Sequence, residues 1–216
     1  DDEHWPLLAA VLRVAADEYP QLDAAACDAQ LQRHADALAS EVASISSLPL
    51  KMAAINRHLF HELGYSGAGE DYYAADNNHL NQVLRRRRGN PISLAIVQIA
   101  VATRLDLPVH GISFPGHFLT ALDLGDDAAL VMDPYNGGRP LGLEKLEALA
   151  AHHLGGEPPE PALLIRLLMP TPPRGIVMRL LRNLQRSHTQ ADQWHKVARC
   201  ADRLLLLAPE NTDALR

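Results

Sequence analysis

A run of four arginines, Arg85 to Arg88, followed by Gly89-Asn90-Pro91-Ile92-Ser93, constrains this chain most, because it writes a helix end and a helix start into one short stretch. Gly89 reads as the residue just past a helix, since it reaches the left-handed conformation without a Cβ clash. Asn90 reads as the cap of the next helix. Pro91 suits its first position, where no backbone N–H is needed. Ser93 then falls in the first turn, where free N–H groups and the positive end of the helix dipole converge. Such a place would stabilise the anion of a nucleophile. It also suits a hydroxyl that does no more than bond the backbone of its own helix. Downstream, His117 lies in Phe114-Pro115-Gly116-His117-Phe118-Leu119 and Asp133 in Asp133-Pro134-Tyr135-Asn136-Gly137-Gly138. The three residues follow one another in the order nucleophile, base, orienter.

The rest of the chain can support a folded domain around that break. Of its 216 residues 47% are hydrophobic, enough for a real core. The formal net charge of −6 argues against general binding to nucleic acid or to anionic membranes. Every candidate helix is interrupted by charge, so no membrane span is expected. Asp1-Asp2-Glu3-His4-Trp5-Pro6 lacks the basic and apolar regions of a signal peptide. Cys27 and Cys200 stand far apart and suggest no disulfide framework, so a reducing cytoplasm is the expected compartment. They read as buried thiols without chemistry.

Apolar spacing predicts a first helix from Leu7 to Tyr19 and a second capped by Asp23. A break at Ser46 to Pro49 precedes a third, Leu50 to Leu63, closed by Gly64. Residues 65–78 are turn-rich, and Asn77 or Asn78 would cap a short helix from His79 to Arg88. The organising helix runs from Pro91 to about Leu105. After Pro108 the period changes. Val109 to Ile112, Phe118 to Leu122 and Ala129 to Met132 read as strands, the last two joined by a hairpin turn at Asp123 to Asp127. His117 would start one of these strands and Asp133 would end its neighbour. Leu143 to Leu154 reads as a helix, and Ala162 to Leu168 as a strand or a short helix. From Gly175 the pattern is a helix pair the size of one tetratricopeptide unit, with Trp194 among its core positions. Such a unit should dock on the main domain or on a partner. The chain stops, at Asn211 to Arg216, where a further helix would begin. The expected divisions are 1–64, a helical segment; 65–170, the main core; and 175–216, the helix pair.

Three linked motifs, Arg87 to Leu94, Phe114 to Leu119 and Asp133 to Gly138, resemble the bacterial SirB-type proteins. Asp71-Tyr72-Tyr73 and Leu80 to Leu84 extend the likeness upstream. The resemblance implies an α+β fold: a transglutaminase-like, papain-like core with a small antiparallel sheet, followed by tetratricopeptide-like helices. It implies a site built from Ser93, His117 and Asp133, with serine where active transglutaminases carry cysteine. A thiol ionises far more readily than a serine hydroxyl, which needs a placed base and an oxyanion hole. The expectation is therefore a non-catalytic domain that binds a protein or peptide in a regulatory role. The alternative is a serine acyl-transfer enzyme, peptidase- or amidase-like. An adaptor acting through its helix pair alone is a third reading.

Asn77, Arg87 and Arg88 are the candidate ligand-binding residues beside the site. The competing view is that the arginines are a solvated helix end and Asn77 a cap. No cofactor or metal is implied, because no Cys, His and carboxylate set has ligand spacing. His152 and His153, being sequential on a helix, should point apart.

Overall fold

The computed structural model describes residues 5–126 and 128–210 of the chain. Its centre is the helix that follows the arginine run. Pro91 to Ile99, Val101 and Ala102 of that helix, Pro91–Arg104, are all buried. A helix apolar on every side has to be wrapped. The wrapping comes from α1 (Leu7–Ala16), α2 (Ala24–Ser44), α3 (Leu48–Asn56) and α4 (Leu80–Arg86), which precede this helix, α5. A sheet and a later helix, α8 (Pro173–Gln190), complete it.

The sheet is an antiparallel meander in the order β3 (Val109–Ile112), β4 (Leu119–Gly125), β5 (Ala128–Asp133) and β6 (Arg139–Pro140). Two short parallel strands, β1 (Ser66–Gly67) and β2 (Arg88–Gly89), pair separately. The two-residue period of β4 divides the core. Phe118 and Leu122 join the cluster around α5, while Leu119 and Ala121 face a second cluster with Leu146, Ala150 and Leu164. Those last three belong to α6 (Leu143–His153) and α7 (Pro161–Leu167), which cover the outer face.

The three expected strands are present, and β4 and β5 run further into the hairpin than the turn residues suggest. A register shift between Asp123 and Gly125 absorbs the extra length. Asp127, the N-terminal residues 1–4 and the stretch Asn211 to Arg216 lie outside the described residues, so the readings made on them are not tested. The segment after Ala162, readable either way, is helical.

Several local expectations are corrected. The helix before the break ends at Arg86, and Arg87, not Gly89, takes the left-handed position at φ 57°. Gly89 is a strand residue whose added Cβ would stand 2.5 Å from Ser93 Oγ, so close approach, not turn geometry, demands glycine. His79 precedes α4 and no side chain caps it; Asn77 and Asn78 are buried instead. Pro49 stands in the first turn of α3, where proline is tolerated, so the break falls earlier. After Asn56 that helix widens into a π-helical stretch, Arg57–Glu62.

The C-terminal pair is α8 and α9 (Trp194–Leu207). Ile176, Val177, Leu180, Leu181 and Leu184 of α8 belong to the same core as α5. Arg203 of α9 grips Asp17 with contacts of 2.6 and 3.0 Å. Cys200 is buried as expected, whereas Cys27 is only half-buried. Trp194 is 60% exposed, against its reading as core: it is the first residue of α9. His152 and His153 do not diverge; their rings meet edge to face at 4.9 Å. No helix of the described residues is long and apolar enough to cross a membrane.

Candidate functional site

Asp133 closes β5, and His117 sits just before β4, its antiparallel neighbour. That pairing brings His117 Nε2 to 2.8 Å from Asp133 Oδ1. Asp133 also opens a tight turn. Its Oδ1 accepts from the backbone N–H groups of Tyr135 (3.0 Å) and Asn136 (3.2 Å), and its Oδ2 from Asn136 Nδ2 (2.6 Å). Asp133 therefore both opens the turn and contacts the His117 ring. Burial alone would raise its pKa. The hydrogen bond and charge of His117 and the two donors of Asn136 outweigh burial and hold the carboxyl below its ordinary range. An ionised Asp133 keeps the His117 proton on Nε2 and leaves Nδ1 as the ring's other face. Nδ1 has no hydrogen-bond partner among the described residues.

Ser93 is placed otherwise. It is the third residue of α5 and 1% exposed. Its backbone N–H donates to Asn90 Oδ1 at 3.0 Å, and its hydroxyl accepts from the Asn90 backbone N–H, also at 3.0 Å. The same hydroxyl lies 3.1 Å from the Asn90 carbonyl oxygen. This reciprocal capping box turns Oγ toward Gly89. Among the described residues no hydrogen bond joins Ser93 to His117 or Asp133. The sequence order of the three residues becomes a His117–Asp133 pair with the hydroxyl elsewhere. Helical geometry gives the reason: at ~100° per residue, Ser93 lies about 200° around the axis from Pro91.

Pro91, unlike Ser93, lines the same cleft as His117. A cleft of about 140 Å³ is lined by His117 and Phe118, by Asn90, Pro91 and Ile92 at the start of α5, by Tyr72 and Tyr73, and by Arg179, Asn183 and Arg186 of α8. Ser93 does not line it. Arg179 donates to Ser113 Oγ and to the His117 carbonyl, each at 2.7 Å, so it fixes the histidine's backbone. Burial lowers its pKa, and the neighbouring Tyr72 only partly offsets this. Arg186 lies over the Tyr73 ring, 5.1 Å from its centroid.

The expected ligand residues are not at this cleft. Asn77, 0% exposed, donates to the Asp71 carbonyl at 2.6 Å and accepts from Arg86 at 2.9 Å. Arg87 donates to the Leu63 carbonyl (2.8 Å) and Arg88 to that of Gly67 (3.3 Å). All three bond backbone carbonyls of the loops around residues 63–72. Sequence reasoning missed Asn78, Arg179 and Arg186. The arginines of α8 are visible as a polar helix face, yet only packing shows what that face covers. Missed too was a buried chain of amides: Thr120 Oγ1 donates to Gln98 Oε1, and Gln98 Nε2 to Asn56 Oδ1, each at 2.6 Å. Asn56 Nδ2 then donates to the Gly138 carbonyl at 2.9 Å, which ties α5, β4 and α3 to the turn after Asp133. Among the described residues no three His, Cys, Asp or Glu side chains gather as metal ligands.

A family model described as the transglutaminase-like superfamily matches residues 25–182. The chain is 54% identical over its whole length to a UPF0162 protein of Xylella fastidiosa (strain Temecula1), covering 76% of that protein. A UPF0162 protein of Vibrio cholerae is 28% identical over 166 residues, 77% of this chain and 60% of that one. F-box only protein 21 of Mus musculus is 34% identical over 108 residues, 47% of this chain and 17% of that protein. No solved structure matches significantly.

Proposed function

We propose, from the premise that this chain belongs to the transglutaminase-like superfamily, that it is a non-catalytic member whose cleft binds a protein or peptide segment in a regulatory role. One observation carries this reading: the only hydroxyl in the expected nucleophile's stretch, Ser93, is spent in a capping box and buried outside the cleft. Proline stands at the first helical position beside His117 and offers neither a nucleophile nor an N–H. The lining that remains, two tyrosines, two arginines and several amides, suits recognition of a chain segment. The stretch shared with a far longer F-box only protein fits a transferable binding module. The C-terminal pair, read as tetratricopeptide-like, would act here by lending α8 to the cleft.

The test is fluorophosphonate labelling with a peptide-hydrolysis assay on the purified chain. No adduct at Ser93 and no turnover are expected, and Ser93→Ala should keep any peptide binding. A Ser93 adduct that disappears in His117→Ala would overturn the reading. The second reading, a serine acyl-transfer enzyme, draws on the His117–Asp133 bond at 2.8 Å, which is the geometry of an oriented base. It would require the first turn of α5 to rearrange and free the hydroxyl.

A further inference from the structure

The charged groups lining the cleft have one sign. Arg179 and Arg186 border it and no aspartate or glutamate does, in a chain whose formal net charge is −6. Among the described residues Arg186 has neither a carboxylate partner nor an acceptor for its N–H groups; its guanidinium rests on Tyr73, 5.1 Å from the ring centroid. The floor adds a second, independent sign. Asn78 is 2% exposed and its Oδ1 accepts from Asn90 Nδ2 at 2.6 Å. That fixes the amide orientation and leaves the Asn78 NH₂ group as a donor without a partner among the described residues, on a residue that lines the cleft. That nitrogen is not among the buried polar atoms left without a partner, so its donors stay open to an acceptor entering the cleft. At about 140 Å³ the cleft is well below the roughly 300 Å³ at which sites for drug-sized ligands begin, so it admits one residue-sized group.

We propose that the α8 end of the cleft is a carboxylate subsite, in which Arg186 and the Asn78 NH₂ hold the carboxylate of a peptide, from either its free C-terminus or an acidic side chain. Arg179, already bound to Ser113 and the His117 carbonyl, serves as a positioning residue. Tyr72 and Tyr73 pack against the aliphatic part of the same residue. The proposal rests on the peptide-binding reading above and deepens it. Asn183, Arg186 and Ser187 lie past residue 182, where the match to the superfamily ends, whereas Asn78 and Arg179 lie within it.

Three fluorescein-labelled pools of random hexapeptides test it by anisotropy on the full chain. One has free C-termini and no acidic residue, one is amidated with a single Asp or Glu, and one is amidated and neutral. The first or the second pool should bind at least about tenfold more tightly than the third. Whichever of the two wins identifies the source of the carboxylate. Arg186→Gln should erase the preference and Arg186→Lys should keep part of it, since lysine supplies charge without the planar fork. Preference should also shrink with added salt. Circular dichroism melts confirm that each variant folds; Arg186 is exposed, so both should. Equal binding of all pools, or a preference unchanged in Arg186→Gln, overturns the subsite and leaves peptide binding standing. Binding of no pool overturns both. Cleavage of a pool together with a retained carboxylate preference supports the subsite and overturns the non-catalytic reading.

Discussion

Pro91 and Ser93 share the first turn of α5 yet meet different surroundings: one borders the cleft that holds His117, the other is locked against Asn90 and Gly89. A thiol placed at each site would report that difference. Pro91→Cys should be alkylated by iodoacetamide at neutral pH at least about tenfold faster than Ser93→Cys, because a thiolate near an imidazole and a helix N-terminus is favoured. Replacing His117 by alanine should remove the advantage. Peptide mapping by mass spectrometry separates these sites from Cys27 and from Cys200, whose thiol burial pushes up to about 11. Faster modification at position 93 would place the helix mouth the other way round. The serine's place in the chain suggests chemistry, but its side chain is committed to the backbone.

At the scale of elements, the site depends on how α5 is held against β4 and α3. The polar chain Thr120–Gln98–Asn56–Gly138 is wholly inside the protein, and each member satisfies the next. Gln98 is 0% exposed and bonds both neighbours. Gln98→Leu should therefore cost about 2–4 kcal/mol, since it strands two buried polar groups while conserving volume. Urea unfolding would measure this, and a loss below ~1 kcal/mol would mean that the network contributes little. The effect should reach the cleft through Gly138, whose neighbouring turn is opened by Asp133. None of these amides stands out in the sequence, where a glutamine amid apolar residues gives no sign of a distant asparagine and threonine.

For the whole molecule, the docking of the C-terminal pair makes stability depend on pH. His79 is 2% exposed among α1, α4, α8 and α9, with Glu18, Asp76, His188 and Lys196 around it. Burial is the main cause that lowers its pKa to about 4, and the attraction of Glu18 and Asp76 only partly opposes it. A histidine depressed in the folded state binds its proton more readily when unfolded. Its contribution is therefore complete above the unfolded value, near 6.5, and is lost as pH falls from there through about 4. The shift corresponds to a loss on the order of 3 kcal/mol across that window. Denaturant midpoints should drop between pH 6.5 and 4, and His79→Phe should flatten the slope. An unchanged slope in that variant would assign the acid sensitivity elsewhere, His188, His34 and His110 being the other imidazoles with lowered pKa.

The sequence by itself determined the main helices and three of the strands, with their order. Asn90, Pro91 and the apolar run after them set α5; the change of period after Pro108 set the meander; Asp23 set the start of α2. These follow from local rules of capping and alternation, which act within a few residues. Tertiary structure alone decided the site. It brought His117 to Asp133 through strand pairing, turned Ser93 away by helical phase, and put Arg179 and Arg186, not Arg87 and Arg88, at the border of the cleft. The physical reason is range: caps and periods are fixed by neighbours along the chain, whereas a cleft is fixed by whichever distant faces the packing of the core leaves opposite one another.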